Sequence, residues 1–258
     1  MTTVAFVGAK GAPGVTTTVC AVAAVWPDVR PVVVAECDPA GGDLAARFGL
    51  GTERGMASLV LAARAEAGRG PTSAPSLDPH VQELPGGLGV VVGPVGADAA
   101  SVVDQQLALL PARSWRGVDG SADREDLVID CGRLTPDAPG QRRILLEADL
   151  VVLVARGDAS SIVNGRWAAD RLADLRGDRS TTRLVLVEPV SFEPGEIADV
   201  IGLPLVGCIP HDTPAAETLC GVPSSARSLA RSALITAARK VAHDCAAPAV
   251  AKGLRNAS

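Results

Sequence analysis

The stretch VAFVGAKGAPGVTTT, residues 4–18, decides how the rest of the chain is interpreted. Its apolar beginning, residues 4–7, predicts a short buried strand, and spaced glycines then interrupt the apolar pattern. The threonines at 16–18 open a second apolar segment, residues 19–25, which predicts a helix. A strand, a glycine-rich loop and a helix in this order can bind phosphate, because the loop's N–H groups turn inward and the helix N-terminus adds partial positive charge. A hydroxyl group directly after the loop can also bind Mg²⁺.

One position departs from the usual phosphate-binding loop. That loop carries Gly-Lys followed by Ser or Thr, whereas this chain has Gly14-Val15-Thr16. The lysine that would reach the β- and γ-phosphates is therefore a valine. A different lysine, Lys10, stands near the start of the loop.

Two other interpretations of the loop stay open. A turn of a dinucleotide-binding fold is disfavoured, because the sequence lacks the G-x-G start of that motif. A loop that keeps its shape but binds nothing is the stronger alternative, since the missing cation removes much of the attraction for a triphosphate.

Two acidic strand ends follow the loop along the chain. Residues 31–36 predict a buried strand with Asp38 just beyond it, and residues 126–130 predict another that ends in Asp130. A carboxylate at the C-terminal end of a strand lies at the edge where α/β proteins bind ligands, and Asp130 there would hold Mg²⁺ through water. Asp38 has an alternative role, as part of an Asp-Pro turn that caps the next helix.

Seven predicted strands alternate with helices, which predicts an α/β protein with a doubly wound, mostly parallel sheet of about seven strands, in a single domain spanning residues 1–258. The apolar stripe of the last predicted helix favours a packed core helix over a membrane-surface helix. The predicted strands are residues 4–7, 31–36, 88–93, 126–130, 148–155, 183–188 and the start of 203–212. The predicted helices include 55–67, 98–110 and 224–245. Residues 68–79 and 113–125 are predicted to be surface connections.

Composition limits the partners and the compartment. A net charge of −5 and only three Phe, three Trp and no Tyr argue against a basic or base-stacking nucleic-acid binder. The sequence has no long uncharged apolar run and no basic leader, so we expect a cytoplasmic protein without a membrane span. The six cysteines form no C-x-x-C pair, so they are expected to be reduced thiols rather than zinc ligands.

Taken together, these motifs resemble the MinD/ParA family of ATPases, whose deviant phosphate-binding loop reads Lys-Gly-Gly-x-Gly-Lys-Thr-Thr. Lys10, Gly11, Gly14, Thr16 and Thr17 match that loop, while Ala12 replaces a glycine and Val15 replaces the usual lysine. The family's Asp-x-Asp-Pro segment is similar to residues 36–39, with Glu36 in place of the first Asp. Residues 148–155 and 207–223 resemble two further family segments, so the similarity covers nearly the whole chain.

The resemblance implies a P-loop fold, bound ATP and Mg²⁺, and a homodimer in which Lys10 contacts phosphate across the subunits. It implies that Asp38 and Lys10 are catalytic and that Thr16, Asp38 and Asp130 form the metal site. It also implies that Glu188 lies near the base, at a position where many relatives have Asn. The implied nucleotide-binding residues are Lys10, Gly11, Ala12, Pro13, Gly14, Val15, Thr16, Thr17, Glu188, Pro210 and Asp212.

From these residues we expect a nucleotide-binding switch with weak or absent hydrolysis that acts with an unidentified protein partner to position a cellular complex. A nucleotide-free scaffold of the same fold, localising a pilus or secretion apparatus, and a DNA-partition ATPase are the alternatives. The sequence carries no strong signal for binding nucleic acid or for binding a membrane. His211 is expected to be an exposed loop residue, because no carboxylate or nucleophile is spaced to it as a relay.

Overall fold

The computed structural model describes residues 2–10, 13–27, 31–67, 76–110, 125–222 and 225–247. Eight strands form one sheet in the order β3-β4-β2-β5-β1-β6-β7-β8, and every neighbouring pair is parallel except β3 and β4. The strands are β1 Thr3–Gly8, β2 Val32–Glu36, β3 Gln82–Glu83, β4 Gly89–Val91, β5 Asp126–Arg133, β6 Leu150–Gly157, β7 Thr182–Val190 and β8 Leu205–Ile209.

Helices cover both faces of the sheet. One face packs against α3 to α7, and the other packs against α1, α2, α8 and α10. The helices are α1 Val15–Ala23, α2 Leu44–Phe48, α3 Met56–Ala67, α4 Ala97–Leu109, α5 Pro139–Glu147, α6 Ala159–Arg176, α7 Pro194–Ile201, α8 Thr213–Thr218, α9 Ala226–Ala230 and α10 Ala233–Ala246.

Strand β1 shows how the sequence produces two separate cores. Val4 and Phe6 pack into the core on the α1 face, whereas Ala5 and Val7 pack into the core on the α3 face. Successive side chains of a strand point to opposite faces, so a strand buried on both sides is apolar throughout. The predicted doubly wound, mostly parallel sheet is confirmed.

The register of the central strands places the motifs at one edge. Asp130 of β5 pairs with Phe6 of β1 on one side and with Glu36 of β2 on the other. The three parallel strands therefore end side by side, and the loops that follow them meet at the carboxyl edge of the sheet.

One element was not predicted, and one prediction needs correction. Among the described residues the sheet has one strand beyond the seven predicted, because the two-residue β3 pairs antiparallel with β4 across a turn in which Gly87 donates to the Leu84 carbonyl at 3.0 Å. The helix predicted at 224–245 is two helices, α9 and α10, and Ser232 begins the second by accepting from the Ile235 N–H at 3.1 Å.

The C-terminal helix α10 packs in the core. Its buried side chains are Leu234, Ile235, Ala238, Val241, Ala242 and Cys245, and it contacts β8 and α1.

In the part of the chain that the structure describes, no helix has both the length and the apolar character needed to cross a membrane. Most of the loops predicted at 68–79 and 113–125 lie outside the described residues.

Candidate functional site

The N-terminus of α1 is open toward the loop that precedes it. Gly14 is the N-cap residue with φ 87° and ψ 33°, a left-handed conformation that favours glycine, and it has no side chain with which to cap the helix. The first turn closes when the Thr18 N–H donates to the Gly14 carbonyl at 2.8 Å. The N–H groups of the preceding helical residues have no acceptor within the helix, which makes this end a site for anions. Gly11 and Ala12 lie outside the described residues.

Asp130 lies beside this helix end, at the bottom of the site. Its side chain is 1% exposed and its Oδ1 accepts from the Gly132 N–H at 2.9 Å, while the nearby Thr16 side chain favours its ionised form. Burial raises the pKa of Asp130 to about 6. A hydroxyl and a buried carboxylate in contact are oxygen donors of the kind that Mg²⁺ takes.

Asp38 contributes a second carboxylate to the same edge. Its Oδ1 accepts from the Ala40 N–H at 2.8 Å, and its carboxylate lies so close to Gly132 that a methyl group there would overlap it. Burial raises the pKa of Asp38, and the charge of Asp38 adds to the rise at Asp130. Two carboxylates that oppose each other's ionisation are stabilised by a divalent cation placed between them. The residues on this side therefore fit Mg²⁺.

The helix-capping role that the sequence left open for Asp38 belongs instead to Glu36. The Glu36 side chain is 1% exposed, its Oε1 accepts from the N–H groups of Asp43 at 2.7 Å and Leu44 at 3.0 Å, and its Oε2 accepts from the Gly93 N–H at 2.8 Å. Glu36 thus fixes the start of α2 and the loop after β4. No sequence pattern indicates this role, because the Gly93 N–H lies far from Glu36 along the chain; in the structure a methyl group at Gly93 would lie 3.2 Å from Glu36 Oε2.

The two residues that bear on the missing cation lie in different environments. Lys10 is exposed at the entrance of the loop. Val15 is 6% exposed and belongs to the core on the α1 face with Val4 and Phe6. Its side chain also lies against Gly8, where an added methyl group would be 3.0 Å from Val15 Cγ2 and 2.8 Å from Pro13 Cγ. Position 15 therefore supplies an apolar contact rather than a charge for phosphate.

The residues expected near the base lie together at the ends of β7 and β8. Glu188 is exposed, and its Oε2 accepts from the His211 N–H at 3.4 Å, which brings it to the loop that contains Pro210. Asp212 caps α8, with Oδ1 accepting from Ala215 N–H at 3.2 Å. His211 is exposed, as expected.

Comparison with known proteins gives structural neighbours only, since neither a protein-family model nor a curated protein sequence matches the chain. A ParA family ATPase from Chlorobium tepidum TLS has 20% identity and a TM-score of 0.68, covering 94% of this chain and 98% of its own. The cell division ATPase MinD of Pyrococcus furiosus has 20% identity and a TM-score of 0.68, with 94% and 97% covered. The septum site-determining protein MinD of Pyrococcus horikoshii OT3, complexed with Mg-ADP, has 18% identity and a TM-score of 0.68, with 94% and 95% covered. The chain therefore has the fold of the MinD and ParA ATPases.

Proposed function

We propose that this chain is a MinD/ParA-like nucleotide switch that binds ATP and Mg²⁺ at its glycine-rich loop and hydrolyses ATP weakly or not at all. The observation that carries the proposal is the convergence of the Thr16 hydroxyl and the buried Asp130 carboxylate at the N-terminus of α1, with the Asp38 carboxylate against Gly132 on the same side. The MinD of Pyrococcus horikoshii, which shares the fold, was solved with Mg-ADP, and this supports the choice of ligand.

In this proposal the backbone binds the phosphates and the carboxylates organise the metal. Gly11, Gly14, Thr16 and Thr17 cradle phosphate, Thr16 and Asp130 hold the metal side, and Asp38 orders water beside it. Bound Mg²⁺ would neutralise phosphate charge. Glu188, Pro210 and Asp212 border the base, where the Glu188 carboxylate offers hydrogen-bond acceptors only when it is ionised.

The absence of a cation at position 15 argues for weak or absent hydrolysis. Removing one preorganised positive charge from a phosphoryl-transfer site typically costs about two to three powers of ten or more in rate. Lys10 compensates only if it reaches phosphate across a homodimer, and in the single chain it is exposed. We therefore propose a switch whose bound state is long-lived, acting in the cytoplasm with a protein partner to position a cellular complex.

A nucleotide-free scaffold of the same fold is the second candidate, and one observation favours it. The Pro13 and Val15 side chains both pack onto Gly8, so the described ends of the loop are joined by apolar contacts. Such contacts would hold the loop's shape without any ligand.

Calorimetric titration with ATP separates the two candidates. For the switch, Thr16→Ala should weaken ATP binding about tenfold or more in Mg²⁺ and leave binding in EDTA nearly unchanged, because only the hydroxyl near the metal is lost. Thr236→Ala is the matched control, since its hydroxyl bonds the Ser232 carbonyl on α10 at 2.9 Å, away from the loop. Equal affinity of wild type and Thr16→Ala in Mg²⁺ would rule out the metal assignment, and no binding by wild type would favour the scaffold.

A further inference from the structure

A buried glutamine on α5 holds the end of β5 and the residues directly after it, next to Asp130. Gln141 is 1% exposed, and its Nε2 donates to the carbonyls of Cys131 and Arg133, both at 2.7 Å. Its Oε1 accepts from the Thr135 N–H at 2.8 Å. One side-chain amide thus binds three backbone groups of residues 131–135, the last three residues of β5 and the first two after it, where the chain leaves the sheet; we name this segment the β5 turn.

The β5 turn contacts the candidate site at three points. The Gly132 N–H donates to Asp130 Oδ1 at 2.9 Å, and Gly132, with φ 57°, lies directly against the Asp38 carboxylate. The Leu134 N–H donates to the carbonyl of Gly8, where the glycine-rich loop begins, at 2.8 Å. A displacement of this turn would therefore disturb both carboxylates and the loop.

Gln141 is itself fixed from the opposite side by α4. The buried Asp104 accepts from the Gln141 N–H at 2.7 Å through Oδ1 and from the Gly140 N–H at 3.1 Å through Oδ2. This carboxylate takes the place of a cap, because the N-cap residue Ala138 makes no side-chain cap bond. A methyl group on Gly140 would overlap the Asp104 backbone, so the two helices are in close contact.

We propose that Gln141 is a positioning residue that sets the metal-dependent part of nucleotide affinity by holding the β5 turn against Asp130 and Asp38. It reaches the ligand only through this turn. Groups that orient metal ligands from outside the coordination sphere commonly change metal affinity about 10- to 100-fold when they are removed. The inference rests on the proposed function, since it presumes that ATP and Mg²⁺ bind at the loop.

The test is the ratio of ATP affinity in Mg²⁺ to ATP affinity in EDTA, measured by calorimetry on the full chain. Gln141→Leu keeps the approximate volume and removes all three hydrogen bonds, so the ratio should fall about tenfold, with a smaller loss of affinity in EDTA than in Mg²⁺. Gln141→Glu matches the size more closely, keeps the acceptor for Thr135 and loses both donors, so it should also lower the ratio and remains usable if the leucine variant is unstable. The control Gln106→Leu makes the same change on α4, at a buried side-chain oxygen that has no hydrogen-bond partner among the residues that the structure describes.

The outcomes separate this inference from the proposed function. If wild type shows the Mg²⁺ effect and both Gln141 variants retain it in full, Gln141 does not position the site, and the proposed function still stands. If Gln106→Leu lowers the ratio as much as Gln141→Leu, the effect is a general loss of packing and the inference is wrong. If wild type binds no ATP under any condition, the proposed function fails and this inference fails with it.

Discussion

At Asp130, burial and metal binding act on the carboxyl group in opposite directions. Burial raises its pKa from 3.8 to about 6, so the ionised form is disfavoured in the metal-free protein. A shift of about two pKa units corresponds to about 3 kcal/mol. Bound Mg²⁺ would favour the ionised form instead.

The raised pKa of Asp130 predicts how Asp130→Asn changes the stability of the protein with pH. The native pKa is raised above the unfolded value, so the stabilising effect of protonation is fully present below about pH 3.8 and is lost as the pH rises through about 6. Asp130→Asn should therefore stabilise the metal-free protein by up to about 3 kcal/mol at pH 8, and the gain should shrink toward pH 4.

The free energy of unfolding is measured by urea denaturation. Wild type and Asp130→Asn are compared in EDTA at pH 8 and at pH 5. Thr236→Ala serves again as a variant with no titrating group changed. A mutant that is less stable than wild type at pH 8, or a difference that does not vary with pH, would show that burial does not govern this carboxyl group.

Among the elements, α2 depends on a side chain from a neighbouring strand. It has only five residues, its N-cap residue Asp43 makes no side-chain cap bond, and Glu36 of β2 accepts from its first N–H groups. The same carboxylate holds the loop after β4 through Gly93. Glu36 therefore joins three segments next to the candidate site.

Glu36→Leu should destabilise the protein by about 3 kcal/mol, because it leaves three buried N–H groups without their acceptor. Each such loss costs about 1–3 kcal/mol, and the sum is partly offset because water can bind the N–H groups and because a buried charge is removed. Chemical denaturation at neutral pH measures the change. Glu196→Leu, at an exposed position on α7, is the matched control and should change stability by less than about 0.5 kcal/mol. A Glu36→Leu variant as stable as this control would show that the three hydrogen bonds contribute nothing.

The elements that could be predicted from the sequence are those with long apolar patterns. The central strands and the larger helices follow from run length and periodicity. The two-residue β3 and the five-residue α2 are too short to show any period. The break at Ser232 was hidden because an apolar pattern continues from α9 into α10, although a serine before an apolar run is a known helix-start signal.

In the candidate site, only the residues that belong to a sequence motif could be predicted. Thr16, Asp38 and Asp130 follow from spacing along the chain, and the structure brings them to one edge. The roles of Glu36 and Gln141 could not be predicted, because their partners are backbone groups whose positions depend on the fold. For example, Glu36 and Gly93 are 57 residues apart.

For the molecule as a whole, the sheet brings the residues of the proposed phosphate and metal site to one edge, and a core residue, Val15, stands where the usual phosphate-binding loop has lysine. Strands β1, β2 and β5 end together, so the loop, Asp38 and Asp130 meet at one edge. Val15, at the start of α1, is buried in the core of the α1 face. This combination supports a protein that binds ATP and Mg²⁺ through backbone and carboxylates but lacks the charge that drives hydrolysis.

The most direct test is the identity of the nucleotide that the wild-type protein retains. Purified protein is incubated with ATP and Mg²⁺, free nucleotide is removed by gel filtration, and the nucleotide that stays with the protein is released and identified by chromatography. We predict that wild type retains intact ATP and that Thr16→Ala does not. Retained ADP with rapid phosphate release would contradict the claim of a switch without efficient hydrolysis, and the absence of any retained nucleotide would contradict the binding site itself.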